Sequence, residues 1–225
     1  MQENTINPYE QHPEEYDQWF NRYPAIYLAE LAALKKAIPQ QGKGLEIGVG
    51  SGRFAEPLAI KNGLEPSREM AKIAEKRGIG VKTGYGEELP WQDEAFDFVL
   101  MVTVVCFFAD TEKAFEEAYR VTRKGGKLII GMLDYGSEIG QKYLQGSKSK
   151  FYQDAQFQKT EDIKSLLAKT GFSNFTFRQT FTHEETFRDY FENPENYDSD
   201  KPLEEPKEGY GKGAFVVISA EKCVM

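Results

Sequence analysis

Two rhythms of apolar residues alternate along the chain, and together they predict an architecture. Ile26, Leu28, Leu31, Leu34 and Ile38 leave one apolar face on a helix from Ala25 to Ala37, which Pro39 stops. Upstream, residues 9–27 scatter Tyr9, Tyr16, Trp19, Phe20, Tyr23 and Tyr27 among charges, with Pro13 and Pro24 dividing the segment into two short helices. Short apolar runs follow at Gly44–Ile47, Ile60–Leu64, Gly80–Thr83, Phe96–Val105, Lys127–Leu133, Phe172–Phe181 and Ala214–Ala220, which read as seven strands. The run from Phe96 is apolar on both faces, as a central strand buried between helix layers requires.

Helical patterns separate these runs. A short helix follows the glycines after Gly44–Ile47, Ser67 caps a helix that ends at Gly78, and Thr111 caps one to Arg123, closed by Gly125 and Gly126. Thr160 caps another, to Thr170. Strands alternating with helices predict a three-layer α/β sandwich with a Rossmann-like, mostly parallel sheet of seven strands, the last one antiparallel. The whole of 1–225 reads as a single domain. Residues 1–40 form an N-terminal helical cap, 136–159 a polar insertion dotted with aromatics, and 182–213 a lid-like excursion containing Pro194, Pro202 and Pro206.

Chemistry concentrates where the first strand ends. Glu46-Ile-Gly48-Val-Gly50-Ser-Gly52 puts three glycines behind an apolar pair, a turn whose backbone lets a ligand approach and whose following N–H groups favour an anionic or hydrogen-bonding group. Glu65 ends the second strand, where dinucleotide-type folds place the carboxylate that accepts from ribose hydroxyls.

Composition narrows the class further. Hydrophobic residues at 40% and charged residues at 28% are those of an ordinary globular chain. The net charge of −8 excludes a general phosphate-backbone binder, so no nucleic-acid partner is expected. Cys106 and Cys223 are too few for a disulfide framework, and neither has a Cys or His at metal-ligand spacing, so no metal is expected and a cytoplasmic location is. No run is long enough to span a bilayer, so no membrane association is expected either.

The series Glu46 to Gly52, Glu65-Pro66-Ser67, Glu87-Glu88-Leu89-Pro90, Phe96-Asp97-Phe98-Val99-Leu100 and Arg120-Val121 with Gly125-Gly126 resembles the class I S-adenosylmethionine-dependent methyltransferases, in particular their small-molecule, type 11-like group. The resemblance covers about residues 42–133 and the closing strand pair. It implies S-adenosyl-L-methionine as methyl donor, S-adenosyl-L-homocysteine as product and a small-molecule acceptor. It also implies that Glu46, Gly48, Gly50 and Gly52 line the methionine and ribose portion, that Glu65 with Pro66 holds the ribose hydroxyls, and that Met101 and Thr103 bring backbone to the sulfonium. Where many relatives carry an aspartate for the adenine amine, this chain has Tyr85, Gly86 and Glu87. Tyr85 is a purine-stacking or accepting group there, and Gly86 a backbone donor.

On the acceptor side, Asp134 and Tyr135 at the end of the fifth strand and His183 on the excursion are the candidate catalytic groups. Asp134 alternatively caps a helix, and Tyr135 alternatively packs under the insertion. Cys106, Phe107 and Phe108 read either as a wall between cofactor and acceptor or as a cap on the core. Tyr16, Trp19, Tyr23 and Trp91 are candidates for cation–π contact with an amine. Two rival functions share these features: a noncatalytic S-adenosylmethionine-binding regulatory module, and a nicotinamide-dependent oxidoreductase on a related fold. The cap, insertion and excursion all reach the cofactor edge by topology, so they are expected to roof the acceptor pocket.

Overall fold

A computed structural model of the 225-residue chain describes residues 3–147 and 149–223, with side chains from residue 6 onward. Three helices come first: α1 (Glu3–Gln11), α2 (Pro13–Arg22) and α3 (Pro24–Lys35). Pro13 and Pro24 open α2 and α3, where the N–H that proline lacks would have had no helical partner. The sheet is then built from β1 (Gly44–Ile47), β2 (Asn62–Leu64), β3 (Gly80–Lys82), β4 (Phe96–Val102), β5 (Thr122–Leu133), β6 (Phe172–Thr180), β7 (Lys207–Glu208) and β8 (Phe215–Lys222). Between them lie α4 (Arg68–Lys76), α5 (Thr111–Val121), α6 (Glu138–Gly146), α7 (Thr160–Lys169) and α8 (Glu184–Glu192).

The strand order is β3-β2-β1-β4-β5-β8-β6-β7. The first five strands pair in parallel, while β8 runs antiparallel to both β5 and β6. Eight strands rather than seven are present, because Lys207 and Glu208 add a two-residue edge to Gln179 and Arg178. Side chains alternate across the central strands as period two demands. Phe98, Leu100 and Val102 of β4 join the core against α3, whereas Val99 and Met101 join the core against α5 and α7.

Three local expectations are corrected. Residues 51–59 form successive turns and no helix: Ala59 has φ 57°, and Ile60 N–H donates to the Ala55 carbonyl, so the chain reverses into β2 before a helix can propagate. Asp110, not Thr111, caps α5, its carboxylate accepting from Lys113 N–H at 2.9 Å. Thr160 is the first residue of α7, not its cap, and its N–H donates to Asp134 Oδ1 at 3.0 Å. The Ser67 cap on α4 holds, with Met70 N–H donating to its hydroxyl at 3.2 Å.

One ion cluster ties the N-terminal helices to the glycine turn. Asp17 of α2 accepts from Arg53 Nε at 2.8 Å, Arg53 Nη2 at 2.7 Å and Arg77 Nη2 at 2.9 Å, while Arg77 also donates to the Ser51 carbonyl. Burial works against the Asp17 charge, yet the bonds from Arg53 and Arg77 outweigh it and hold the carboxyl well below the usual aspartate range. A depressed carboxylate pKa stabilises the fold above 3.8, the ordinary aspartate value, and loses that contribution as the pH falls. Asp17→Asn strands two guanidinium groups and is expected to cost on the order of 3 kcal/mol. Urea denaturation at pH 7 measures it, and a loss indistinguishable from zero would show that the cluster does not hold the cap.

Candidate active site

Two neighbouring cavities lie at the carboxyl ends of β1, β2 and β4. The smaller, about 50 Å³, is bounded by Gly48 and Gly50 of the turn, by Glu65 and Pro66 after β2, by Thr103 after β4 and by Tyr9 and Tyr16 of the N-terminal helices. Gly50 has φ 54°, and a β-carbon there would stand in the cleft beside Met70 and Tyr16. Gly48 and Gly52 are required for a different reason than ligand approach. A β-carbon at Gly48 would meet Val104 at 2.4 Å, and one at Gly52 would meet Ile79 at 2.5 Å.

Acidic groups gather beneath this cleft. Glu65 Oε2 accepts from Gly50 N–H and Oε1 from Ser67 N–H, both at 2.9 Å, so the carboxylate both shapes the turn and faces the cleft. Burial pushes its pKa up to about 7 against those two bonds. Glu46, on β1 between Gly63 and Leu100, is 1% exposed. Burial, and next the charge of Glu65, push its carboxyl well up, and its Oε2 is buried without a hydrogen-bond partner among the described residues. An orphaned buried acceptor of this kind calls for a donor from a ligand.

The larger cavity, about 980 Å³, opens beside the first, and Tyr16 and Thr103 line both. Its walls come from α2 and α3 (Trp19, Tyr23, Glu30), from the insertion (Tyr143, Phe151) and from α8 (Phe187 and Phe191). Cap, insertion and excursion thus all contribute to it. The stretch 182–213 is ordered by packing: Tyr190 is 1% exposed and its hydroxyl accepts from Ala25 N–H at 3.1 Å. The Gly209–Gly213 segment is a tight connection, held where Gln179 Oε1 accepts from Lys212 and Gly213 N–H.

Several expected residues stand elsewhere. Met101 is fully buried in the α5-side core, one residue short of the cleft, which Val102, Thr103 and Val104 reach instead. Phe108 packs over Gly86, where a β-carbon would meet it at 2.6 Å, and Glu87 accepts from Ala109 N–H at 2.8 Å. These contacts hold the loop after β3 against the start of α5, so Tyr85, Gly86 and Glu87 do not line the closed cleft; Tyr85 is 39% exposed. Asp134 is 1% exposed, and its Oδ1 is committed to Gly136 and Thr160 N–H. Tyr135 packs against the insertion near Gln145, and His183 lies at the surface beside Thr182 and Glu204. None of the three lines the larger cavity. Of the Cys106–Phe108 run, Phe107 walls the smaller cleft while Cys106 and Phe108 are core.

The arrangement has close relatives. The family model described as Methyltransferase domain matches residues 45–130. A Thermotoga maritima structure, a SAM-dependent methyltransferase and possible histamine N-methyltransferase, is 46% identical and superposes with TM-score 0.86 over 97% of this chain and 99% of that one. The chain belongs to the S-adenosylmethionine-dependent methyltransferases. An uncharacterised Methanocaldococcus jannaschii protein is 47% identical over 96% of this chain and 100% of its own length. Phosphoethanolamine N-methyltransferase 2 of Haemonchus contortus, in complex with S-adenosylmethionine, shares the fold at 18% identity and TM-score 0.67, over 98% of this chain and 60% of that one. Neither a nicotinamide-dependent oxidoreductase nor a noncatalytic binder finds support among these matches.

The methyltransferase's cleft fits its cofactor's chemistry. S-adenosylmethionine carries a sulfonium, an ammonium and a ribose diol, and the cleft offers a glycine turn and an acceptor-rich Glu65, with Glu46 buried nearby rather than in the lining. When bound it supplies an electrophilic methyl group. At about 50 Å³ the cleft is closed, far below the roughly 300 Å³ at which small-molecule sites begin. The cover is α1: Tyr9 donates to the Phe151 carbonyl at 3.0 Å, and Glu10 Oε2 accepts from Ser67 Oγ at 2.6 Å at the head of α4. Admitting a ligand of that size to the cleft is therefore expected to move α1 aside.

Two outcomes follow for the methyltransferase. Adding S-adenosylhomocysteine should slow amide exchange across residues 3–16, as α1 recloses on the ligand; unchanged exchange there would mean that α1 is no gate. Affinity for the same ligand should fall as the pH drops below about 7, where Glu65 takes up a proton, and level off above it. Glu65→Gln should flatten that profile and cost roughly 1.5–3 kcal/mol in calorimetry at pH 8.

Proposed function

We propose that this methyltransferase acts on a small-molecule nucleophile held in the aromatic chamber. The observation that carries this reading is the pair Tyr16 and Thr103, which line cofactor cleft and chamber alike. A nucleophile seated in the chamber faces the donor across that shared edge, as an in-line displacement needs. The chain's own work is then positioning and exclusion of water. Orienting two reactants supplies on the order of 7–11 kcal/mol of a barrier, so no catalytic triad is called for.

Thr103 is suited to the shared edge by its backbone. It has φ 49°, and its N–H donates to the Gly131 carbonyl at 2.8 Å, which turns the chain sharply off β4. The aromatic walls exclude water, and the chamber is large enough for a metabolite but not for a folded macromolecule. The Thermotoga relative is a possible histamine N-methyltransferase and the Haemonchus structure a phosphoethanolamine N-methyltransferase, so nitrogen nucleophiles head the candidates.

Incubation with methyl-labelled S-adenosylmethionine and a metabolite extract is expected to label a product of low molecular mass. Label found only in protein or nucleic acid would overturn the reading.

A further inference from the structure

One ionisable side chain in the chamber has no structural task. Glu30 lies on α3, a helix otherwise buried through Ala25, Ile26, Ala29, Leu31, Ala33 and Leu34. It is 6% exposed, and it lines the chamber. No described residue donates a hydrogen bond to its carboxyl or forms an ion pair with it, although a carboxylate buried without a partner is costly. An apolar residue on α3 would pack here at no such cost.

The surroundings say what fits it. The rings of Trp19, Tyr23, Tyr143 and Phe191 share its chamber, and aromatic faces attract cations. Charge from Glu30 reaches Tyr143 and also Tyr16, which feels Glu65 and Glu46 from the cofactor side as well. Tyr16 lines both cavities and lies within electrostatic range of Glu30 on one side and of Glu65 and Glu46 on the other. We propose that Glu30 is the acceptor-recognition residue, that the acceptor is a primary or secondary amine entering as its ammonium form, and that Glu30 receives the proton which frees the nitrogen lone pair.

This inference rests on the chamber being the acceptor site. The balance is simple. The ammonium passes one proton to the Glu30 carboxylate; the neutral nitrogen then forms the N–C bond as the methyl carbon–sulfur bond breaks, its electron pair staying on sulfur. The product leaves as a methylated ammonium, and Glu30 is left protonated. The other ionisable groups facing the chamber are Glu15 and Arg22 from α2, the phenols of Tyr16 and Tyr23, and those of Tyr143 and Tyr152 from the insertion. Glu15 is paired with Lys150 at 2.7 Å and held low by that bond, Arg22 is exposed at the mouth, and burial drives Tyr16, Tyr143 and Tyr152 upward. Burial moves Glu30 to about 8, so near neutrality it carries a proton until an ammonium arrives and expels it to solvent.

The test uses the S-adenosylhomocysteine-loaded protein and a library of small primary and secondary amines, each paired with its isosteric alcohol and carboxylate. Calorimetry at pH 7 in two buffers of different ionisation enthalpy is expected to show amines binding with release of about one proton, because Glu30 goes from acid to carboxylate. Glu30→Gln should weaken those amines by about thirtyfold or more, the lower end of what removing one partner of a buried charge pair costs, and abolish the proton release. Glu30→Asp should restore part of both, and neither variant should change S-adenosylhomocysteine affinity. If no amine binds, or if alcohols or carboxylates bind equally well to wild type and Glu30→Gln, the proposal is overturned while the chamber reading stands. If, with S-adenosylmethionine in place of S-adenosylhomocysteine, the only methylated product is a macromolecule, both fall.

Discussion

The site depends on one carboxylate shared between two arginines. Asp17 binds Arg53 from the glycine turn and Arg77 from the end of α4, and it belongs to the helix that carries Tyr16, Trp19 and Phe20. The sheet alone presents a glycine turn and an acid at an open edge. With Asp17 in place, α2 is fixed across that edge, and both cavities acquire a wall. Tyr27 adds a second tie by donating to the Arg53 carbonyl. The larger chamber is thus a property of the interface between cap and sheet, and the ion cluster fixes one of its walls, α2, against the glycine turn.

Charge inside the site follows one logic. Glu46, Glu65 and Glu30 are all buried, and burial raises all three. Such groups weaken the empty fold as the pH rises, because the unfolded chain releases their protons more readily. A sulfonium and an ammonium offset that cost when they enter. Tyr9 and Tyr16 close the cleft without adding charge, since burial keeps both phenols neutral.

What the sequence made legible were features that need special backbone or special periodicity. The glycines from 48 to 52, Glu65 at the end of β2, the Ser67 cap and the two-faced apolar run of β4 all advertise themselves, because few residue types tolerate those positions. Glu46 and Glu65 stood out for the same reason; Glu65 lines the cleft, and Glu46 is buried within range of its charge. Cofactor positions Tyr85 to Glu87 and acceptor positions Asp134, Tyr135 and His183 were less readable, because their roles depend on where a loop packs. Asp134 read either as an acceptor-side group or as a helix cap, and it supplies the acceptor that starts α7. Glu30 was missed because a single glutamate in a helix normally faces water. The available signal was its setting: α3 is apolar around nearly its whole circumference, which leaves no wet face for a charge. Tyr9 and Tyr16 were visible as an aromatic cluster, but only the fold places them over the cofactor cleft.

The division of labour between scaffold and cap also bears on how such a protein changes over generations. Of the residues lining the acceptor chamber, only Phe54 and Thr103 fall within the segment 45–130 that matches the methyltransferase domain. Apart from Leu133 at the end of β5 and Phe181 just after β6, the rest are carried by the cap, the later insertion and α8, outside the strands that fix the glycine turn. Mutation can therefore redraw the chamber's outline, ring by ring, while the glycine turn and Glu65 are inherited intact. A lineage built this way explores new substrates without first surrendering its chemistry.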